Sequence, residues 1–305
     1  MKKMKKLICT LMILMILAVS TALGDGFTLS APLGAPSIAV ATLAEKDPDA
    51  FSLVAADTIA AEFARKEADF IIAPVNAGAK LYKAGKSTYR LAAMITWGNL
   101  VFASQREGFT PESMNGETVT LFGEETINAS VALFVMDQLG ITPAEINYLA
   151  DASQTQQLLL TDPDAIVMTA EPAVSAARMK KPEITSWLLT EELKAISGYD
   201  GFAQAGLFVR EETAAEHPEE VAAYLEQIKA AAESVETDLE SVAKAAVELG
   251  ILPNEKVAMT AIPRCGIRYV GAAEAREMVE YTANIDLAQF GGELPADDFY
   301  YDGQK

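Results

Sequence analysis

Short apolar runs alternate with helix-spaced ones along most of the chain. The runs at 27–31 (FTLSA), 51–55 and 69–73 (DFIIA) read as strands. A turn after each opens a helical pattern, at 38–44, at 58–66 and from Ala77 onward, and extended patterns continue at 91–95 and 100–104. A second unit follows Pro111. It reads as a strand at 118–122, a polar turn at 123–128 (GEETIN) and an amphipathic helix at 129–139 that Gly140 stops. Strands at 146–149 and 165–168 bracket a helix at 154–160, and Pro172 takes a first-turn position in the next helix. The segment 202–209 reads as a strand returning to the first unit. From Pro218 the chain turns mostly helical, at 219–233, 239–249, 255–262 and 272–289. Such alternation predicts an α/β fold, mainly parallel sheet with helices on both faces.

Two similar units with a late return predict two lobes joined by extended crossovers near 101–108 and 200–206. Lobe one then holds residues 25–102 plus 205–305, and lobe two holds 103–204. Two tethers make a hinge, and the groove between the lobes is a natural ligand site. The alternative is one continuous doubly wound domain.

The first 24 residues change the setting. Lys2, Lys3, Lys5 and Lys6 precede an apolar run at 7–20, and Ala22 and Gly24 place small residues where a signal peptidase reads. The run is short for a membrane span, so 1–24 is expected to be an export signal. No Cys stands at the cleavage point, so no lipobox is found; Cys9 opens the apolar run instead. The mature chain is expected to work as a periplasmic or cell-surface protein that does not span the membrane.

Charge narrows the partners. The net charge is −19, and losing the four leader lysines takes it to −23. An acidic surface of this size repels phosphate backbones, so nucleic acid is a poor partner. Cys265 is the only cysteine beyond the leader and His217 the only histidine, so no disulfide, zinc site or Cys/His nucleophile pair is expected. GxSxG, Walker and HExxH patterns are also missing from the sequence. Neither a cofactor nor enzymatic activity is expected.

Four stretches carry a family resemblance: EADFIIAPVNAGAKLYKAG (67–85), MNGETVTLFGEETINASVALFVMDQLGI (114–141), DPDAIVMTAEPAVSAA (162–177) and GGELPADDFYYD (291–302). In order and spacing the chain resembles the type II periplasmic binding proteins of ABC importers. It is most similar to the group that binds nitrate, sulfonates, taurine and thiamine-pyrimidine precursors. The resemblance implies a two-lobe fold, each lobe a mainly parallel sheet flanked by helices, with two crossover strands as the hinge. It implies a monomer that closes on a small-molecule ligand and delivers it to an ABC permease and its ATPase. Enzymes of pyrimidine or menaquinone biosynthesis share the fold and form the rival reading.

In such a fold, strand ends and helix starts face the groove. The ligand-binding candidates are Ser37, Asn76, Ala77, Gly78, Trp97 and Asn99 from the first lobe. From the second they are Glu124, Thr126, Asn128, Thr169, Glu171 and Gln204. Ser37 and Thr126 offer hydroxyls, Gly78 admits close backbone approach and Trp97 offers a flat ring. Each has a structural alternative: a helix cap for Ser37, Asn76 and Asn128, turn geometry for Gly78, core packing for Trp97. The expected cleft turns are short of Lys and Arg, whereas Glu124, Glu125 and Glu171 cluster at helix starts. That balance favours a neutral or cationic heteroaromatic amine, such as an aminopyrimidine, over a sulfonate- or nitrate-type anion.

Overall fold

The computed structural model describes residues 26–303; the expected leader lies outside them. Eleven strands form two sheets among the described residues. In chain order they are β1 (Leu29–Pro32), β2 (Phe51–Val54), β3 (Phe70–Pro74), β4 (Tyr89–Thr96), β5 (Leu100–Ser104) and β6 (Thr118–Phe122). Then come β7 (Glu145–Leu149), β8 (Ile166–Ala170), β9 (Thr185–Leu188), β10 (Ala205–Arg210) and β11 (Ile267–Gly271). The first sheet runs β11-β4-β10-β3-β1-β2 and the second β7-β6-β8-β5-β9. Pairing is parallel among β1, β2 and β3 and among β6, β7 and β8, while β10, β11 and β5 run against their neighbours.

The continuous apolar runs of the inner strands are explained by burial on both faces. In β3, Phe70 and Ile72 join one core with Leu207, Val209 and Tyr224, while Ile71 and Ala73 face the opposite one with Phe208. In the second sheet, Val101, Ala103 and Val167 face one side and Phe102 and Met168 the other. The helix Pro218–Thr237 buries Val221, Tyr224, Ile228, Ala231, Ala232 and Val235, a stripe at helical spacing that covers the first sheet. Each such Val, Ile or Tyr removed from water contributes about 1.5–3 kcal/mol before the entropy of ordering it.

Between β4 and β5 the chain passes from one sheet to the other over residues 97–99, ahead of the stretch expected from the sequence; Leu100–Ser104 already pairs within the second sheet. It returns over residues 198–204. These crossovers bond to each other: the amides of Phe202 and Gln204 donate to the carbonyls of Trp97 (3.0 Å) and Thr96 (3.1 Å). Gly201, at φ +108°, makes the approach possible, since a Cβ there would lie 2.1 Å from the Trp97 carbonyl oxygen.

Several elements differ from the sequence pattern. The segment 38–44 divides into two single-turn helices, Ala35–Ile38 and Ala41–Ala44, and 58–66 into a 3₁₀ turn, Ile59–Ala61, and the helix Glu62–Arg65. The strands β9 and β11 and the helices Leu189–Ser197 and Glu211–Glu216 have no counterpart among the elements expected from the sequence pattern. Both strands are short sheet edges that bury little, so the alternation is faint.

Candidate functional site

The parallel strands of both sheets point their C-terminal ends at one another, and a cleft of about 1230 Å³ lies between them. Its first-lobe wall is built from Pro32, Leu33 and Ala35 after β1, Asp57 and Ile59 after β2, and Asn76, Ala77 and Lys80 after β3, with Leu252 and Asn254 alongside. The second-lobe wall comes from Phe122 to Asn128 after β6, Tyr148 to Ser153 after β7, and Glu171, Pro172, Ala173, Met179 and Lys180 after β8. Asn99 and Gln204, one at each crossover, form the floor with Ala205.

Four helices begin at these strand ends, and their starts differ. Thr126 caps the helix Ile127–Gln138, its hydroxyl oxygen accepting from the Ala129 amide at 3.4 Å. Asp151 caps Ala152–Thr161, accepting from the amides of Ser153 (2.8 Å) and Gln154 (3.0 Å). Burial pushes the Asp151 carboxyl up, but the Ser153 hydroxyl and these two amides outweigh it and leave it below the usual aspartate range. Ala173–Lys180 lacks a cap at Pro172; the Glu171 carboxylate instead accepts from the Ser175 amide at 3.3 Å. Val75–Lys83 has no side-chain cap at all.

The floor is a connected set of amides. The side-chain amide of Gln204 donates to Oδ1 of Asn99 (2.9 Å) and Oδ1 of Asn128 (3.1 Å), and Nδ2 of Asn99 donates to the Glu171 carbonyl. Asn76 differs. It is 7% exposed on the first-lobe wall, and its Oδ1 is buried without a hydrogen-bond partner.

Of the twelve candidates, Asn76, Ala77, Asn99, Glu124, Thr126, Asn128, Glu171 and Gln204 line the cleft. Four do not. Ser37 is fully buried and donates to the Gly34 carbonyl at 2.9 Å. Gly78 packs against the sheet, where a Cβ would meet the Phe208 ring at 2.3 Å. Thr169 is fully buried and donates to the Ala152 carbonyl. Trp97 lies behind the crossovers, its Nε1 donating to the Arg268 carbonyl at 2.8 Å and its ring 4.7 Å beneath the Arg268 guanidinium. The floor residues were reachable from sequence because they flank the crossovers. The other four fail through register and depth, which sequence periodicity does not give.

Sequence reasoning missed Lys80, Lys180, Tyr148 and Asp151. Both lysines line the cleft, one from each lobe, and neither has a carboxylate partner among the described residues. They lie at or near the C-terminal ends of the same helices whose starts face the groove, a turn or two beyond the expected cleft turns. Tyr148 is the penultimate residue of β7; burial, then the nearby Glu124 carboxylate, raises its phenol above the ordinary range. Cys265 is fully buried, donates to the Ala261 carbonyl at 3.3 Å, and has its thiol pushed well up by burial. Among the described residues no group of three or more His, Cys, Asp or Glu side chains is placed to hold a metal ion.

No protein-family model matches the chain, and no curated protein matches it either. Solved structures do. An ABC transporter from Parabacteroides distasonis superposes with a TM-score of 0.77 at 20% identity, covering 92% of this chain and all of that one. The periplasmic aliphatic sulphonate binding protein from Escherichia coli gives 0.65 at 13% identity, over 92% and 94%. The ligand-binding component of an ABC-type import system from Staphylococcus aureus, a structure with zinc bound, gives 0.68 at 10% identity, over 90% and 96%. This chain has the two-lobe fold of the type II periplasmic binding proteins. In that fold the cleft just described is the space between the lobes, and the two crossovers are the connections at its floor.

Proposed function

We propose that the protein is an exported solute-binding component of an ABC importer, not an enzyme. It captures a small organic ligand between its lobes and passes it to a permease. The observation that carries this reading is the cleft itself, walled by strand ends and helix starts of both lobes and floored by the crossovers. The lobes divide at residues 97–99 and 198–204, where Gly98 and Gly201 hold backbone at positive φ. A guest touching both walls stabilises the closed arrangement over the open one, because only then are both sets of contacts made. The similar ABC transporter and aliphatic sulphonate binding protein support the same class.

For the ligand we infer an amine-bearing organic molecule such as an aminopyrimidine. The buried Oδ1 of Asn76 lacks a donor, and buried acceptors are rarely left so. Asp57, Glu124 and Asp151 add acceptors along the walls, and the Tyr148 phenol adds a donor. A second reading, an anion such as a sulfonate, is favoured by Lys80 and Lys180 reaching the cleft from opposite lobes. Native mass spectrometry of freshly purified protein identifies a retained guest, and calorimetry with an aminopyrimidine and an alkanesulfonate separates the two readings. Heat from the sulfonate alone overturns the amine assignment. A guest that binds without compacting the particle in small-angle scattering overturns closure.

A further inference from the structure

Glu171 and Arg264 belong to different lobes. Glu171 directly follows β8 of the second sheet, while Arg264 lies in the 3₁₀ turn Ile262–Arg264 that leads into β11 of the first. Nε of Arg264 donates to Oε1 of Glu171 at 2.9 Å, and the Ser175 amide supplies Oε2. The Glu171 side chain is 0% exposed, that of Arg264 42%. Arg264 reaches Glu171 from a separate depression of about 560 Å³ behind the hinge, which it lines with Trp97 and Arg268. The carboxylate thus sits between the cleft and this rear depression.

We propose that Arg264 is a positioning residue of the cleft, acting through Glu171, and that their ion pair latches the lobes in the arrangement described here. The physical reason is an asymmetry of cost. A fully buried carboxylate is tolerated only while paired, and removing its cation strands the charge. Arg264 moves with the first lobe and Glu171 with the second, so separating the lobes breaks the pair. Nearby Arg178 acts on Glu171 through charge alone, its hydrogen bonds going to the Ile184 carbonyl and the Ser186 hydroxyl within the second lobe, so Arg264 is the cation bonded to the carboxylate. Asn99 ties the latch to the floor, because its Nδ2 donates to the Glu171 carbonyl and its own carbonyl accepts the Glu171 amide at 2.9 Å. With both oxygens so occupied and the side chain fully buried, Glu171 adds no exposed carboxylate to the cleft floor, and Arg264, outside the cleft, holds it in that position.

The proposal rests on the hinge reading above but is tested with no ligand. Spin labels at Lys46→Cys and Asp137→Cys, exposed on opposite lobes, report interlobe distance, and buried Cys265 escapes labelling. Arg264→Met is expected to lengthen the distance, shifting the open-to-closed ratio at least about tenfold, as stranding a buried charge implies. The double variant Glu171→Met/Arg264→Met, which removes the stranded charge, is expected to restore the short distance. Arg264→Lys keeps the charge without the guanidinium geometry and gives an intermediate distribution; it supplies the reading should Arg264→Met not fold. A distance unchanged in both single variants, or a double variant as open as Arg264→Met, overturns the latch. Failure of every solute to bind would overturn the transport reading while leaving this result standing.

Discussion

Gln204 donates its side-chain amide to Oδ1 of Asn99 at 2.9 Å, although 105 residues separate them in the chain. Each flanks one crossover, so this single bond ties the two tethers at the cleft floor. The same amide reaches Asn128 at the start of a second-lobe helix. Gln204→Leu removes both bonds and strands two acceptors. We expect a loss of about 1–3 kcal/mol in stability, read by urea denaturation, together with weaker binding of any cleft ligand.

Gly78 is expected to matter for packing alone. Its Cβ position lies 2.3 Å from the Phe208 ring, a contact that forces side chain or backbone to move. Gly78→Ala should cost about 1–3 kcal/mol of overpacking, and Phe208→Leu in the same chain should recover part of it. Ligand affinity of the folded fraction should not change, since Gly78 does not line the cleft.

Trp97→Phe separates the two roles of that ring. Phenylalanine retains a face for Arg268 but loses the 2.8 Å bond to the Arg268 carbonyl. The melting temperature should fall by a few degrees, as for a loss of about 1 kcal/mol, with affinity unchanged. An affinity drop of tenfold in calorimetry would place the indole against the guest instead.

Acid should weaken the second lobe through Asp151. Its carboxyl titrates below the usual aspartate range in the folded chain. The stability it contributes is therefore complete above the unfolded value of about 4 and is lost as pH falls through the lower folded value. Asp151→Ala should cost about 1 kcal/mol at neutral pH through the lost cap, and should flatten the acid limb of stability measured between pH 2 and 6.

Charge reversal at Lys80 and Lys180 discriminates the ligand classes. If the guest is an amine, Lys80→Glu/Lys180→Glu should leave affinity equal or higher. For an anion it should fall by roughly tenfold or more, two charge contacts becoming repulsive. Calorimetry at two salt concentrations reads either outcome.

Much of the fold was legible because burial on both faces writes continuous apolar strands, and FIIAP in β3 is the clearest instance. The turns that bound these strands also marked the floor: Asn99, Asn128 and Gln204 lie where pattern breaks, and all three reach the cleft. Thr169 lies inside β8, where one step in register reverses a side chain, and Ser37 lies in the single-turn helix Ala35–Ile38 facing the core. Edge strands β9 and β11 escaped for want of a buried face to impose alternation.

Local sequence determined the alternation of strands and helices, the stripe that seats the helix Pro218–Thr237, and the residues at the turns, since all follow from chain-neighbour spacing and the avoidance of water by apolar groups. Tertiary structure alone decided which turns converge, that Arg264 of one lobe meets Glu171 of the other, and that Lys80 and Lys180 enter the cleft. Those relations join positions tens of residues apart, and only the packing of sheets and helices in space fixes such distances.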